Sequence, residues 1–242
     1  MSALLGIVVA MLDEAEALGV RKPRPGLQAE IERGRLIYVS GMGAEAAEKA
    51  ASVLANHDVA ALMSFGTVGA LAPELIAGDL ICPLLVLGQD GLSYPTDPAW
   101  RRRLLGGCSP DLHDGALLSV DAPLTGRDDK LAARKRYGAV AVDLESAAIA
   151  SVARTRGLPF LALRAVVDDA ATELPRAVIS ATNRYGRPKP ATLALNLLRA
   201  PGTIRTLPPL ARAFATATHA LRVVAERNPD FAWAVHPGSL SI

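Results

Sequence analysis

Apolar residues in this chain gather into short continuous runs that end abruptly at glycines or acids. Leu5-Gly6-Ile7-Val8-Val9-Ala10 is such a run and is rich in β-branched residues, as expected for a central strand covered on both faces. Leu36 to Val39 predicts a second strand, stopped by Ser40-Gly41-Met42-Gly43 and followed by an Ala-rich helix from Ala44 to Ala55. The unit recurs. Val59 to Phe65 predicts a strand running into a glycine turn at Gly66-Thr67-Val68-Gly69, and Leu80 to Leu87 predicts another. Ala139 to Val142 predicts one more, before a helix opening near Ser146, and Phe160 to Val167 is the last. Strands alternating with helices imply an α/β fold, a mostly parallel sheet between two helical layers.

From Asp169 onward, Pro175, Pro188, Pro190, Pro201, Pro208 and Pro209 punctuate short helical stretches, up to a longer helix from about Leu210 to Arg227. This extension, about 170–242, is too short for a core of its own, so a single domain over 1–242 is expected. The tail Asn228 to Ile242 is expected to be poorly ordered.

Composition narrows the class. Half of the 242 residues are apolar and 21% are charged, which fits a folded chain and excludes disorder. A mean hydropathy of +0.25 implies extra apolar surface for an oligomer interface, a lipid-facing patch or a deep pocket. The net charge of +2 comes without a basic run interleaved with aromatics, which argues against a nucleic-acid partner. Arg101-Arg102-Arg103, the tight basic cluster, reads as a solvated helix face. Cys82 and Cys108 are far apart and form no CxxC, so neither zinc nor a disulfide framework is implied, and reduced cytoplasmic thiols are the default. Met1 to Met11 lacks the basic flank of a signal peptide, and no apolar run reaches the roughly 20 residues of a spanning helix. A cytoplasmic or membrane-peripheral protein is expected.

In open α/β sheets ligands bind beyond the carboxyl ends of the strands. Those ends are acidic here: Glu14, Asp143, Glu145 and Asp168. Acids at such places also serve helix first turns, caps and tight turns, so each alone is weak evidence. Together they suit cleavage of a ribose–purine bond, which needs a proton on the leaving base, a carboxylate for the cation-like sugar and an oriented water. Gly41, Gly43, Gly66 and Gly69 would let backbone approach a ligand, and Thr67 adds a hydroxyl. GxGxxG, HExxH and GxSxG are absent, and no cofactor or metal is expected.

These residues resemble the purine nucleoside phosphorylases and, more closely, the methylthioadenosine/S-adenosylhomocysteine nucleosidases. The blocks are Gly6 to Met11 with Glu14, Ser40 to Gly43, Ser64 to Leu71 with Gly78-Asp79, and Val142 to Ala147 with Leu163 to Asp168. The resemblance implies a three-layer fold with a partly barrel-like mixed sheet and a homo-oligomer whose neighbour can close the pocket. It also implies that Glu14 orients the attacking water, Glu145 binds the ribose hydroxyls and Asp168 protonates the base. Substrate contacts are implied at Gly41, Gly66, Thr67, Val68, Gly69, Val142, Asp143 and Leu144. Leu144 stands where methionine is usual and Ala70 where glycine is usual. Ser64 replaces a phosphate-binding arginine, which favours water over phosphate as the nucleophile. Asp128 to Leu131, Asp168-Asp169-Ala170 and Leu174-Pro175 are similar to hopanoid-associated phosphorylases. That narrower likeness implies removal of adenine from adenosylhopane and a peripheral membrane contact. A methylthioadenosine/S-adenosylhomocysteine nucleosidase and a non-catalytic nucleoside-binding protein are the alternatives.

Overall fold

A computed structural model describes residues 4–27, 34–107 and 112–233. Cys108, residues 1–3 of the apolar start and residues 234–242 of the expected loose tail lie outside the described residues. The order along the chain is β1 (Leu5–Val9), α1 (Leu12–Ala17), β2 (Gly26–Leu27), β3 (Arg35–Val39), α2 (Ala44–Ala55), β4 (Ala61–Ala70) and β5 (Leu80–Ile81). Then come β6 (Leu85–Gly88), β7 (Ser93–Pro95), α3 (Pro98–Gly107), β8 (Leu112–His113), β9 (Ala116–Ser119), α4 (Arg127–Tyr137) and β10 (Ala141–Asp143). The last elements are α5 (Ser146–Thr155), β11 (Phe160–Asp168), α6 (Arg176–Ser180), α7 (Pro190–Arg199), a 3₁₀ turn (Pro201–Thr206) and α8 (Leu207–Arg227).

One mixed sheet organises these elements. Its main path runs β2-β3-β1-β4-β10-β9-β6-β7, with β11 leaving that path to pair β4 and β5. The long strand β4 is the pivot: its first half lies parallel to β1 and its last residues, Gly69 and Ala70, pair antiparallel with β10. Strand β11 lies parallel along the other side of β4. This change of neighbours curls the sheet and gathers the ends of β1, β3, β4, β10 and β11 in one region.

Alternate faces of the strands feed two cores. Ile7, Val9, Met63, Phe65, Leu161 and Leu163 pack beneath α1 and α8, whereas Val8, Leu62, Ala162 and Val166 pack beneath α2 and α5. Both faces are therefore covered, which is why the central strands read as unbroken apolar runs. A smaller cluster of Leu71, Leu118, Val120 and Val142 sits under α4. Among the described residues no helix is long and apolar enough to cross a membrane.

Several expectations change. Leu80 to Leu87 is not one strand: Pro83 has no N–H to give a ladder, and the halves join different partners, β5 with β11 and β8, β6 with β9 and β7. Gly66-Thr67-Val68-Gly69 is not a turn but the second half of β4. The described tail, Asn228 to Trp233, is docked rather than loose. Phe231 stacks edge-on against Phe65, and Trp100 packs on Trp233 and donates its indole N–H to the Phe231 carbonyl at 2.7 Å. The aromatic rings bury enough apolar surface to overcome the fraying usual at a chain end. Of the basic cluster, Arg102 and Arg103 are exposed, as a solvated helix face requires, and two of the three also act as tethers: Arg101 donates to the Cys82 carbonyl at 2.9 Å and Arg103 to the Ala232 carbonyl at 3.1 Å.

Candidate active site

Glu14, Glu145 and Asp168, distant along the chain, line a single cavity of about 480 Å³ where the strand ends meet. Each is held by a different local device. Glu14 is the third residue of α1 and reaches back, as an N3 acid does, so that Oε2 accepts the N–H of Ala10 and of Met11, both at 2.9 Å. Its Oε1 accepts the Thr67 N–H at 2.8 Å and the Thr67 hydroxyl at 3.1 Å. The helix-capping reading and the functional one therefore coincide at this residue. Asp13 and Glu16 differ, facing Arg187 on the surface at 3.6 and 3.2 Å.

Gly66 makes room for this arrangement. A Cβ there would stand 2.4 Å from Glu14 Oε1 and 2.7 Å from Arg164, so any side chain would evict the carboxylate. Gly66 thus supports the site without lining the cavity, and Gly41 does not line it either, being turned against Arg184 and Tyr185. Gly43, Thr67, Val68, Gly69, Val142, Asp143 and Leu144 do line it.

Strand β11 slips register between Val166 and Asp168, a bulge that re-aims Asp168 across Gly69. The absent side chain of Gly69 matters, since a Cβ would meet both Asp168 oxygens at 3.2 and 3.3 Å. Asp168 Oδ2 is bonded to the ammonium of Lys130, the sole buried residue of α4, which also donates to the carbonyls of Asp169 at 2.7 Å and Thr172 at 3.0 Å. All three ammonium protons are thereby used. Among the described residues no group donates to Asp168 Oδ1. Burial pushes the Asp168 carboxyl up from its ordinary value, and Lys130 works in the opposite direction.

Glu145 follows β10. Its Oε1 accepts the Gly43 N–H at 2.9 Å, linking the ends of β3 and β10. Burial and the neighbouring Asp143 raise its pKa to about 7 against the pull of Arg164. Glu14 is also raised by burial, with Arg164 and the Met11 and Thr67 donors resisting. Asp143 is differently occupied. It accepts the Ser119 hydroxyl at 2.5 Å and the N–H groups of Glu145 and Ser146, capping α5, and its Oδ2 lies 2.6 Å from Arg164.

Two charged residues of this site were not among the expected ones. Arg164, 2% exposed in the middle of β11, donates to the hydroxyls of Ser64 at 2.6 Å and Ser146 at 2.9 Å and pairs with Asp143. A lone arginine inside Phe160-Leu-Ala-Leu-Arg-Ala-Val-Val is a signal that sequence carries: a buried cation requires buried anions. Lys130 had no such signal, because it sits in Arg127-Asp-Asp-Lys-Leu-Ala-Ala-Arg-Lys-Arg, where solvent-facing charges abound.

The model of the phosphorylase superfamily matches residues 5–199, which include all three carboxylates. The chain belongs to that superfamily. This superfamily member is an enzyme of the nucleosidase and nucleoside phosphorylase kind, acting on a glycosidic bond. It is 26% identical over 154 residues to a 5'-methylthioadenosine/S-adenosylhomocysteine nucleosidase of Baumannia cicadellinicola, covering 55% of this chain and 67% of that protein. Identity to the nucleosidase of the same name from Thermotoga maritima is 25% over 149 residues, 59% of this chain and 69% of that one. Among solved structures, the Streptococcus pneumoniae nucleosidase with a transition-state inhibitor superposes with a TM-score of 0.67 at 21% identity, covering 96% and 99% of the two chains. Helicobacter pylori futalosine hydrolase superposes with a TM-score of 0.66 at 16% identity, covering 93% and 97%. The fold is therefore shared, as an α/β layered nucleoside phosphorylase-like architecture.

Proposed function

We propose that this cavity binds a 5′-substituted adenosine and hydrolyses its N-glycosidic bond, releasing adenine. The observation that carries the proposal is the convergence of Glu14, Glu145 and Asp168 on one cavity that no lysine, arginine or histidine lines among the described residues. Phosphate would meet a wall of carboxylates there, whose cations Arg164 and Lys130 are engaged behind them and do not line the cavity, so the geometry favours water as nucleophile. Ser64 fits that choice, since its hydroxyl is buried against Arg164 and Ser146 and does not line the cavity.

The division of labour follows from the free acceptor and donor sites. A carboxylate offers about four lone-pair sites, and Glu14 has four donors. Only one of these, the Thr67 hydroxyl, can rotate away; the three backbone N–H groups are fixed. A water taking its place would donate to Glu14 Oε1 and be aimed at the sugar carbon as positive charge develops. Glu145, in its ionised form, would accept hydrogen bonds from the ribose hydroxyls, and its negative charge would stabilise the oxocarbenium as it forms. Asp168, in its protonated form, would deliver its proton through Oδ1 to the purine imidazole nitrogen, while Lys130 holds the other oxygen still.

The 5′ group is read from the rest of the lining. The names of the relatives support 5′-methylthioadenosine or S-adenosylhomocysteine as substrate. A second reading, adenosylhopane, is supported by the run of apolar side chains Val120, Pro123, Leu124, Leu174, Val178 and Ile179 along one wall. A lipid-linked substrate would place the enzyme at a membrane surface. Adenine release from each substrate, measured with and without phosphate, separates these readings. Release that requires phosphate would sink the hydrolytic one, and no release from any adenosine derivative would sink both.

Glu14→Gln is expected to lower turnover by about a hundredfold or more, the scale of a lost positioned base, while KM changes little. Steady-state adenine release checks this, and a rate within a few fold of the parent would remove Glu14 from the mechanism.

A further inference from the structure

Beyond the active site, the sequence from Leu174 to Ala225 has an unusual charge balance. Between Glu173 and Glu226 there is no aspartate or glutamate, and there are eight lysines and arginines. The rest of the chain, with eighteen bases against twenty-four acids, is net negative. This basic stretch includes the part of the fold least bound to the core: α6, α7 and the 3₁₀ turn contain no buried residue.

Helix α7 is apolar on two sides: Leu193 and Leu197 are half-buried on the inner face, and a second apolar stripe is turned to solvent. Asn196 faces inward, donating to the Ala177 carbonyl at 2.9 Å and the Ser180 hydroxyl at 3.0 Å on α6. The opposite face, at the spacing of successive helical turns, is Ala191, Ala194, Leu195 and Leu198, all exposed. Leu198 is 81% exposed, Ile204 in the adjoining 3₁₀ turn 54% and Leu195 46%. Lys189, Arg199 and Arg205 flank these residues, are exposed, and form no ion pair among the described residues. An apolar stripe rimmed only by bases, on a domain otherwise net negative, matches a surface with an apolar interior and an anionic skin.

We propose that α7 and the 3₁₀ turn dock the protein on an anionic lipid surface, with Leu195, Leu198 and Ile204 entering the apolar boundary and Lys189, Arg199 and Arg205 meeting the headgroups. A protein partner would be expected to offset the bases with acids in a fixed pattern; a lipid surface needs only charge and depth. The platform is coupled to the catalytic cavity through α6. Its Ala177 and Ser180 receive α7, while its Val178 and Ile179 line the cavity. This inference sharpens the lipid-linked reading of the substrate. Its test does not depend on that reading, because vesicle binding and adenine release are separate measurements.

The experiment is co-sedimentation of the full chain with vesicles of phosphatidylcholine alone or with 30% phosphatidylglycerol. Binding is expected to the anionic vesicles and to fall as salt rises. The pair Arg199→Glu and Arg205→Glu should weaken it by at least about thirtyfold, the scale of two basic residues at a charged membrane. The pair Leu195→Asp and Leu198→Asp should abolish it. Both pairs should leave cleavage of a water-soluble nucleoside intact, which also reports that they fold. Equal binding to neutral vesicles, or anionic binding untouched by both pairs, would overturn the proposal. So would a parent that self-associates in solution while the leucine variant does not, since the stripe would then be an interface between copies of this chain.

Discussion

Asp168→Asn is expected to cut turnover by about two to four orders of magnitude with little change in KM, because an amide keeps the shape of the carboxyl group but has no acidic proton to give. The comparison that isolates the chemistry is a substrate whose leaving group needs no proton, such as a nitrophenyl riboside, on which the same variant should lose far less. An equal loss on both would mean that Asp168 only shapes the pocket. The bond to Lys130 adds a pH signature. Burial raises the proton affinity of Asp168 and the ammonium lowers it, so the charged partner holds down the pH at which the acid is lost. In Lys130→Met that opposition disappears, and the alkaline limb of the kcat profile is expected to move upward. The carboxyl is also less firmly held, so kcat at its optimum should fall while KM stays close to the parent value. A limb that stays in place would show that Lys130 serves the loop carbonyls alone.

What the chain discloses before folding depends on whether the cause is local. The strand β1 and the helices α2 and α5 were legible because an apolar run, a glycine stop and an alanine-rich stretch act within a few residues. The break at Pro83 is equally local, yet a hydropathy run hides it, since leucines on either side continue the pattern across a missing N–H. The strand through Gly66 to Gly69 was not legible for a different reason. Those glycines are there to clear space for Glu14, Arg164 and Asp168, contacts made across the sheet, and a glycine pair looks the same in a turn. The meeting of the carboxylates in one cavity could be read because each lies at or a few residues beyond the end of a strand, Glu14 after β1, Glu145 after β10 and Asp168 closing β11. Lys130 could not, as nothing in a helix crowded with charge shows which one is turned inward. The tail from Asn228 to Trp233 failed for a related reason: its aromatic anchors, Phe65 and Trp100, lie far away along the chain.

Arg164→Met should be the most destabilising single change in the site, by about 3–5 kcal/mol, because it leaves buried carboxylates without their counter-ion. That is a large share of the roughly 5–15 kcal/mol that keeps a domain folded. Methionine has nearly the volume to fill the space, so the loss is electrostatic more than steric. Asp143 would keep the Ser119 hydroxyl and two long backbone bonds but lose the guanidinium 2.6 Å away, and Ser64 and Ser146 would each lose a donor. Glu145, already near 7, would be pushed higher still. The sign of the pH effect follows: a carboxyl raised in the folded state binds protons that the unfolded chain has released, so stability falls as pH rises through that window. Urea unfolding should therefore show a larger deficit at pH 8 than at pH 5.5. Adding Asp143→Asn to Arg164→Met should return part of the loss, since it removes the stranded charge while keeping an acceptor for Ser119. A double variant no more stable than the single one, with a deficit indifferent to pH, would show that Arg164 acts here by volume and not by charge.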